Sequence, residues 1–385
     1  MRLNQLNTKN STTVTTTVCA IVFCLFTFCY LYFYQADILS MAQHILSGGQ
    51  THYDRMVGAV LITIVLLLLQ IGIKVLTGLR EGRYALTFFP SLLVLAIITS
   101  AGCHMDEAFS FGVWTWLLPL LLLLWATGVY AAIKIPYGHE FGGRLFSQSM
   151  WINIMSLCGM FFFVGLAGNS NDVFHYRMKM ENCFMDDQYD KALAVGDRAD
   201  ATDSTLTMLR AYALARQGLL GEKLFTYPVE GSSSSVVPMA SGTRCLIYPV
   251  DSIYKFLGAR PLSTQSTGEY LQALYKCHKA TLAVKDYVLC GYLLDRNLDM
   301  FAKVLPNFYT VGDNMPKHYR EALILYNHLR SNPVVVYHNS VMDTDFKDLQ
   351  TLEKQYASYE ERKQAVYDQY SETYWWYYEY GKKDR

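Results

Sequence analysis

The chain has 385 residues, equal numbers of basic and acidic side chains (33 each) and 52% apolar residues. The charges are unevenly placed: the first 169 residues hold eight basic and six acidic side chains, and the remaining 216 hold 25 and 27. So long a stretch with so little charge excludes a simple soluble enzyme, and neither part carries the basic excess that a nucleic-acid partner would require.

A helix needs about 20 mainly apolar residues to cross a hydrocarbon core of roughly 30 Å. Five runs qualify, near 17–34, 56–79, 84–103, 111–135 and 149–168. They define a transmembrane domain over residues 1–169. Main-chain N–H and C=O groups find no water in lipid, so each run is expected to be helical. The first run has a basic lead (Arg2, Lys9) but ends in LYFYQAD, without a small-residue cleavage exit. It reads as an uncleaved signal anchor. Trp114, Trp116, Trp125 and Trp151 suit interfacial anchoring.

Orientation follows from where the cations fall. With the N-terminus in the cytoplasm, the inner segments carry Arg2, Lys9, Lys74, Arg80, Arg83, Lys134 and Arg144, and the outer loops carry only Arg55. An odd number of crossings then places everything after Gly168 outside, which for a bacterial inner (plasma) membrane is the periplasm. The two outer loops hold the polar residues with chemical potential: Asp37, His44, His52 and Asp54 in the first, His104, Asp106 and Glu107 in the second. Histidines and carboxylates brought together could act as acid and base. His44, His52, Asp54, His104, Asp106 and Glu107 therefore form the candidate catalytic cluster. No H-E-x-x-H spacing is present, and no metal site or cofactor is expected. The sequence has no phosphate-binding loop, nucleophile elbow or dinucleotide fingerprint. The few charges within the spans argue against an ion-coupled transporter.

Residues 170–385 alternate helical patterns with short breaks, so the whole chain is expected to be all-α. Leu209, Tyr212, Ala215 and Leu219 share one helical face, and Gly218 then breaks the helix. Tyr189–Leu193 and Tyr319–Leu323 share a Tyr-x-x-Ala-Leu pattern. This rhythm suggests a soluble, α-solenoid-like helical-repeat domain of the tetratricopeptide type. A Pro-, Ser- and Gly-rich stretch near 227–249 reads as a loop. Apolar and aromatic positions at a 3–4 spacing predict one long amphipathic helix near 343–380. That helix ends in aromatics on every side, which makes Trp375, Trp376, Tyr377 and Tyr378 candidate partner-binding residues. Cys183, Cys245, Cys277 and Cys290 could pair as disulfides in an oxidising compartment or remain free.

Three stretches, PKHYREALILY (Pro316–Tyr326), GEKLFTYP and TYWWYYEY, resemble an uncharacterised family of bacterial multi-span inner-membrane proteins with an extracytoplasmic tetratricopeptide-like domain. The resemblance implies architecture and location and supplies no reaction. The expected role is a membrane-tethered scaffold that lies in the lipid bilayer and presents a helical-repeat surface to a protein or peptide partner. The alternative is a membrane enzyme, or its accessory subunit, acting on a lipid-linked, glycan-type substrate at the outer face.

Overall fold

The computed structural model describes residues 2–79, 81–102, 112–134, 148–239, 243–262 and 265–381. Among these residues the regular secondary structure is entirely helical, with no strand. It divides into two compact units, residues 1–175 and 176–385.

The first unit opens with α1 (Arg2–Cys29), which runs into a wider π-helical turn over Tyr30–Tyr34. There follow α2 (Ala36–Leu46), α3 (Arg55–Thr77), a 3-10 stretch over Glu81–Phe88, α4 (Phe89–Thr99), α5 (Trp114–Lys134) and α6 (Gln148–Ala167). Five of the described helical segments are long and apolar enough to cross a membrane: Thr13–Tyr34, Arg55–Thr77, Gly82–Thr99, Trp114–Lys134 and Gln148–Ala167. Their shared core includes Phe23, Phe88, Leu92, Leu157 and Val164.

Two features were not legible in the hydropathy pattern. The stretch after the first span is not a plain loop, because α2 occupies it and buries Ile38 and Met41. The third span also begins as a 3-10 stretch, whose bonding leaves main-chain groups over. Polar side chains meet them inside the bundle: Asn153 Oδ1 accepts the Ala85 N–H (2.7 Å), and the Trp125 indole donates to Leu86 O (2.8 Å). Gln70 Nε2 donates to Tyr84 Oη (3.0 Å) and Thr87 Oγ1 (2.8 Å). Irregular backbone at membrane depth persists only where protein satisfies it in this way.

The chain continues through α7 (Asp172–Met185), within which the boundary between the units falls, and α8 (Tyr189–Leu193). Next come α9 (Ser204–Arg216), α10 (Leu220–Lys223), α11 (Val250–Leu257), α12 (Thr267–Lys276), α13 (Val284–Leu294) and α14 (Leu298–Val304). The last four are α15 (Lys317–Leu329), α16 (Ser340–Gln355), α17 (Tyr359–Tyr370) and α18 (Tyr374–Tyr380). One turn recurs in this unit. α7, α9, α12 and α13 each end at a left-handed residue: Asp187, Gly218, His278 and Arg296, with φ between 54° and 70°. The next residue's N–H reaches back five positions: Gln188 to Cys183 O, Leu219 to Leu214 O, Lys279 to Leu274 O and Asn297 to Tyr292 O, at 2.8–2.9 Å. This C-cap satisfies carbonyls left over at a helix end and turns the chain sharply.

The single long helix expected near 343–380 is instead three, α16, α17 and α18. Tyr356 and Ser358 take extended backbone angles between the first two. Thr373 is extended before the third and accepts the Trp376 N–H through its hydroxyl. Thr is a strong helix starter, and at Thr373 its cap outweighs a continuous apolar stripe; Ser358 makes no side-chain cap, and the break before α17 lies in the extended backbone of Tyr356 and Ser358. The described part of the stretch near 227–249 holds a short 3-10 turn, Ser233–Ser235, and is tied into the unit: Val236, Val237 and Ile247 are buried, and Ser233 N–H donates to Asp295 (2.9 Å). Among the described cysteines, no disulfide joins Cys183, Cys245, Cys277 and Cys290.

Candidate functional site

Three members of the candidate cluster, His44, His52 and Asp54, fall within the described residues. Asp54 is the N-cap of α3, accepting the Val57 N–H at 2.8 Å. Asp37, in the first turn of α2, is paired with Arg55. His44 lies in the last turn of α2, and burial followed by the charge of His52 pushes its pKa down. His52 is exposed. His104, Asp106 and Glu107 lie outside the described residues. Among the described residues, no group of three or more His, Cys, Asp or Glu side chains could hold a metal ion.

The aromatic C-terminus is the most densely built site of the second unit. α18 buries Tyr374, Trp375, Tyr377 and Tyr380, while Trp376 and Tyr378 are half-buried. Its seat is polar as well as apolar. The Glu321 carboxylate on α15 accepts the Tyr374 main-chain N–H (2.8 Å), and the Trp375 indole donates to Glu321 O (2.8 Å). The Tyr374 hydroxyl donates to Leu293 O (3.1 Å) and the Tyr377 hydroxyl to Leu294 O (2.8 Å), two carbonyls at the end of α13. Arg296 closes the other end of α18. Its guanidinium donates to the carbonyls of Tyr377, Tyr378 and Gly381 at 3.0–3.1 Å and lies 4.7 Å from the Tyr377 ring centre. A cation on the carbonyl end of a helix also complements the helix dipole.

Glu321 is itself held. His318 Nδ1 is 2.9 Å from Glu321 Oε2, and the Phe225 main-chain N–H donates to His318 Nε2 (3.2 Å). Nε2 is therefore the acceptor and Nδ1 the protonated nitrogen that donates to the carboxylate. Phe225 packs edge-on against His318 and Tyr374, at 5.2 and 5.0 Å between ring centres. The seat thus recognises an aromatic helix by its side chains and by both of its main-chain ends.

Two further buried carboxyls went unnoticed in the sequence. Glu181 on α7 accepts the main-chain N–H groups of Leu246, Ile247 and Tyr248 with one oxygen (2.6–3.0 Å), while the other oxygen is buried without a partner. Burial raises its pKa against the pull of those N–H groups and of Arg177. Asp286 on α13 accepts the hydroxyls of Tyr309 (2.8 Å) and Tyr319 (2.9 Å), and the Cys290 thiol lies 3.5 Å from the Tyr319 hydroxyl. Burial raises the pKa of Asp286 too. No spacing signal marks either carboxylate, because their partners come from distant parts of the chain. Arg296 carries no sequence signal either, because it takes the left-handed form without the Gly or Asn that usually marks it.

Residues 258–381, which include the whole of α18 and most of its seat, match a family of unknown function, DUF6057. No curated protein and no solved structure matches the chain.

Arg296→Ala removes three hydrogen bonds to carbonyls and should destabilise the docking of α18 by about 2 kcal/mol. In the full-length protein, chymotrypsin should then cut within Tyr374–Tyr380 much faster than in the wild type; an unchanged cleavage rate would mean that Arg296 does not hold the tail. For Glu181, a folded-state pKa above the ordinary 4.5 favours the protonated form on folding. That contribution is complete below the unfolded-state value and is lost as pH rises through the folded one. Glu181→Gln keeps an acceptor for the three N–H groups and cannot titrate. The variant's melting temperature should therefore gain on the wild type's as pH rises from about 4 to about 7, and a difference that does not change with pH would refute the assignment.

Proposed function

We propose that this chain is a bacterial inner-membrane protein anchored by five crossings, its N-terminus cytoplasmic and residues 170–385 periplasmic. There a tetratricopeptide-like helical domain binds a protein or peptide partner as a scaffold. The repeat reading is supported by the recurrent turn. Asp187, Gly218 and Arg296 each lie between two helices, and an apolar or aromatic residue opens the second helix two positions later (Tyr189, Leu220 and Leu298). Helix pairs joined by such turns are the unit from which solenoids are built. The sidedness is supported by the excess of Lys and Arg in the inner segments.

The observation that carries binding is the connector between α15 and α16. Val334 and Val336 are 75% and 59% exposed, and Leu329 and Val341 at its two ends are also exposed. The connector is not loose. The Tyr326 hydroxyl accepts the Val334 N–H (3.2 Å), and Asn327 Nδ2 donates to Tyr337 O (2.6 Å). Aliphatic side chains held out in water on a fixed backbone are the kind of apolar surface that marks an interaction site, whereas scattered single residues are not. The enzyme reading is less favoured, because Asp54 and Asp37 are already engaged as a helix cap and an ion pair.

Proteinase K added to intact spheroplasts should remove the region after Gly168; full protection, with an exposed control protein digested, would overturn the periplasmic placement. A photo-crosslinking amino acid at Val336 should give a discrete protein adduct in living cells, and substituting Val334→Asp should abolish it. A crosslinker that yields no adduct at Val336, or an adduct indifferent to Val334→Asp, would count against the connector as the binding surface.

A further inference from the structure

The last turn of α16 and its link to α17 shape an open cleft of about 460 Å³, lined by Gln350, Glu353, Lys354, Tyr356, Ala357 and Arg362. That volume lies within the range of small-molecule sites, about 300–1,000 Å³. Its lining carries two cations, Lys354 and Arg362, and one carboxylate, Glu353. The Glu353 carboxylate is engaged by the Tyr380 hydroxyl (2.7 Å). The Arg362 guanidinium makes no ion pair or hydrogen bond among the described residues, and neither does the Lys354 ammonium. Arg362 Nε is buried, so the head group is held against the protein rather than moving freely in solvent. Other arginines of this unit are engaged: Arg330 forks onto Asp299, Arg177 pairs with Asp203, and Arg296 caps α18.

We propose that this cleft binds an acidic saccharide. A planar guanidinium and an ammonium lining the same cleft suit a single carboxylate. A compact multiply charged anion fits less well, because the carbonyl end of α16 and Glu353 add negative potential nearby. The same features favour hydroxyl groups on the ligand. No backbone cap closes the last turn of α16, so its carbonyls remain as acceptors, and Gln350 adds an amide donor and acceptor. Tyr356 and Tyr359, 37% and 47% exposed, offer ring surface beside the cations; the Tyr359 ring centre lies 6.0 Å from the Arg362 guanidinium. Apart from Ala357 the lining has no aliphatic pocket, so it lacks the anchor that peptide recognition draws on. The proposal is separate from the connector surface and does not depend on a protein partner there.

The test is calorimetric titration of the full-length protein in nanodiscs with digalacturonate, cellobiose, inorganic phosphate and triglutamate. Digalacturonate should bind and neutral cellobiose should bind at least about tenfold more weakly. Lys354→Gln/Arg362→Gln should weaken digalacturonate by about tenfold or more, with the melting temperature unchanged, and Arg362→Lys should recover only part of the loss because the fork is gone. Absence of digalacturonate binding, or wild-type affinity in the double variant, would overturn the site. Phosphate or triglutamate binding as tightly as digalacturonate would overturn the saccharide assignment.

Discussion

A main-chain N–H or C=O group that is buried without a partner costs as much as several good contacts contribute. That constraint governs both units of this protein. Within a straight helix it is met automatically. At several places where the described chain departs from a helix, a polar side chain from elsewhere in the same unit comes to meet the exposed groups. Asn153 and Trp125 do so for the 3-10 entry to the third span. Glu181 does so for residues 246–248, and Glu321 and Arg296 do so for the two ends of α18. These few side chains specify how irregular pieces attach to regular ones, and apolar packing then fills the space between them.

The same distinction explains what could be read from the sequence. Spans are a property of local composition, because lipid demands about 20 apolar residues and helical bonding from each segment separately. They were therefore legible to within a few residues. Recurrent helix breaks were legible where Gly218 marked them, and less so where Asp187, His278 and Arg296 take the same backbone form without the glycine. The division of the C-terminal segment was missed because the 3–4 apolar stripe continues through Ser358 and Thr373. The stripe reports which faces are buried, whereas the breaks lie where the backbone turns extended, at Tyr356, Ser358 and Thr373. The site geometry was least legible. Glu181 meets main-chain groups 65 to 67 positions away, and Glu321 meets Tyr374 53 positions away, so no motif of fixed spacing can announce either one.

Aromatics on all sides of a short helix suggested a surface waiting for a partner. The second unit itself supplies contacts on several sides of α18: α15 at its start, the end of α13 along its hydroxyls, and Arg296 at its end. Tyr374, the first residue of that aromatic run, is fully buried. Its rings pack inside the unit much as core residues do, with the tyrosine hydroxyls used to satisfy helix-end carbonyls. Richness in Tyr rather than Phe is thus a consequence of where the rings land, since Phe could not meet those carbonyls.

This inward use of the tail bears on the open surfaces. α15 clamps α18 through His318 and Glu321 at its beginning and fixes the valine connector through Tyr326 and Asn327 at its end. Phe346 of α16 closes the arrangement, 5.2 Å from the Trp375 ring and 4.7 Å from His328. One helix therefore contacts both the buried clamp and the exposed connector, and α16 packs against the same helix and leads on to the cationic cleft. A ligand meeting surfaces already held in place loses less free energy to ordering them. For the binding role proposed above, the clamp would contribute by such preorganisation, without any of its own residues touching the ligand.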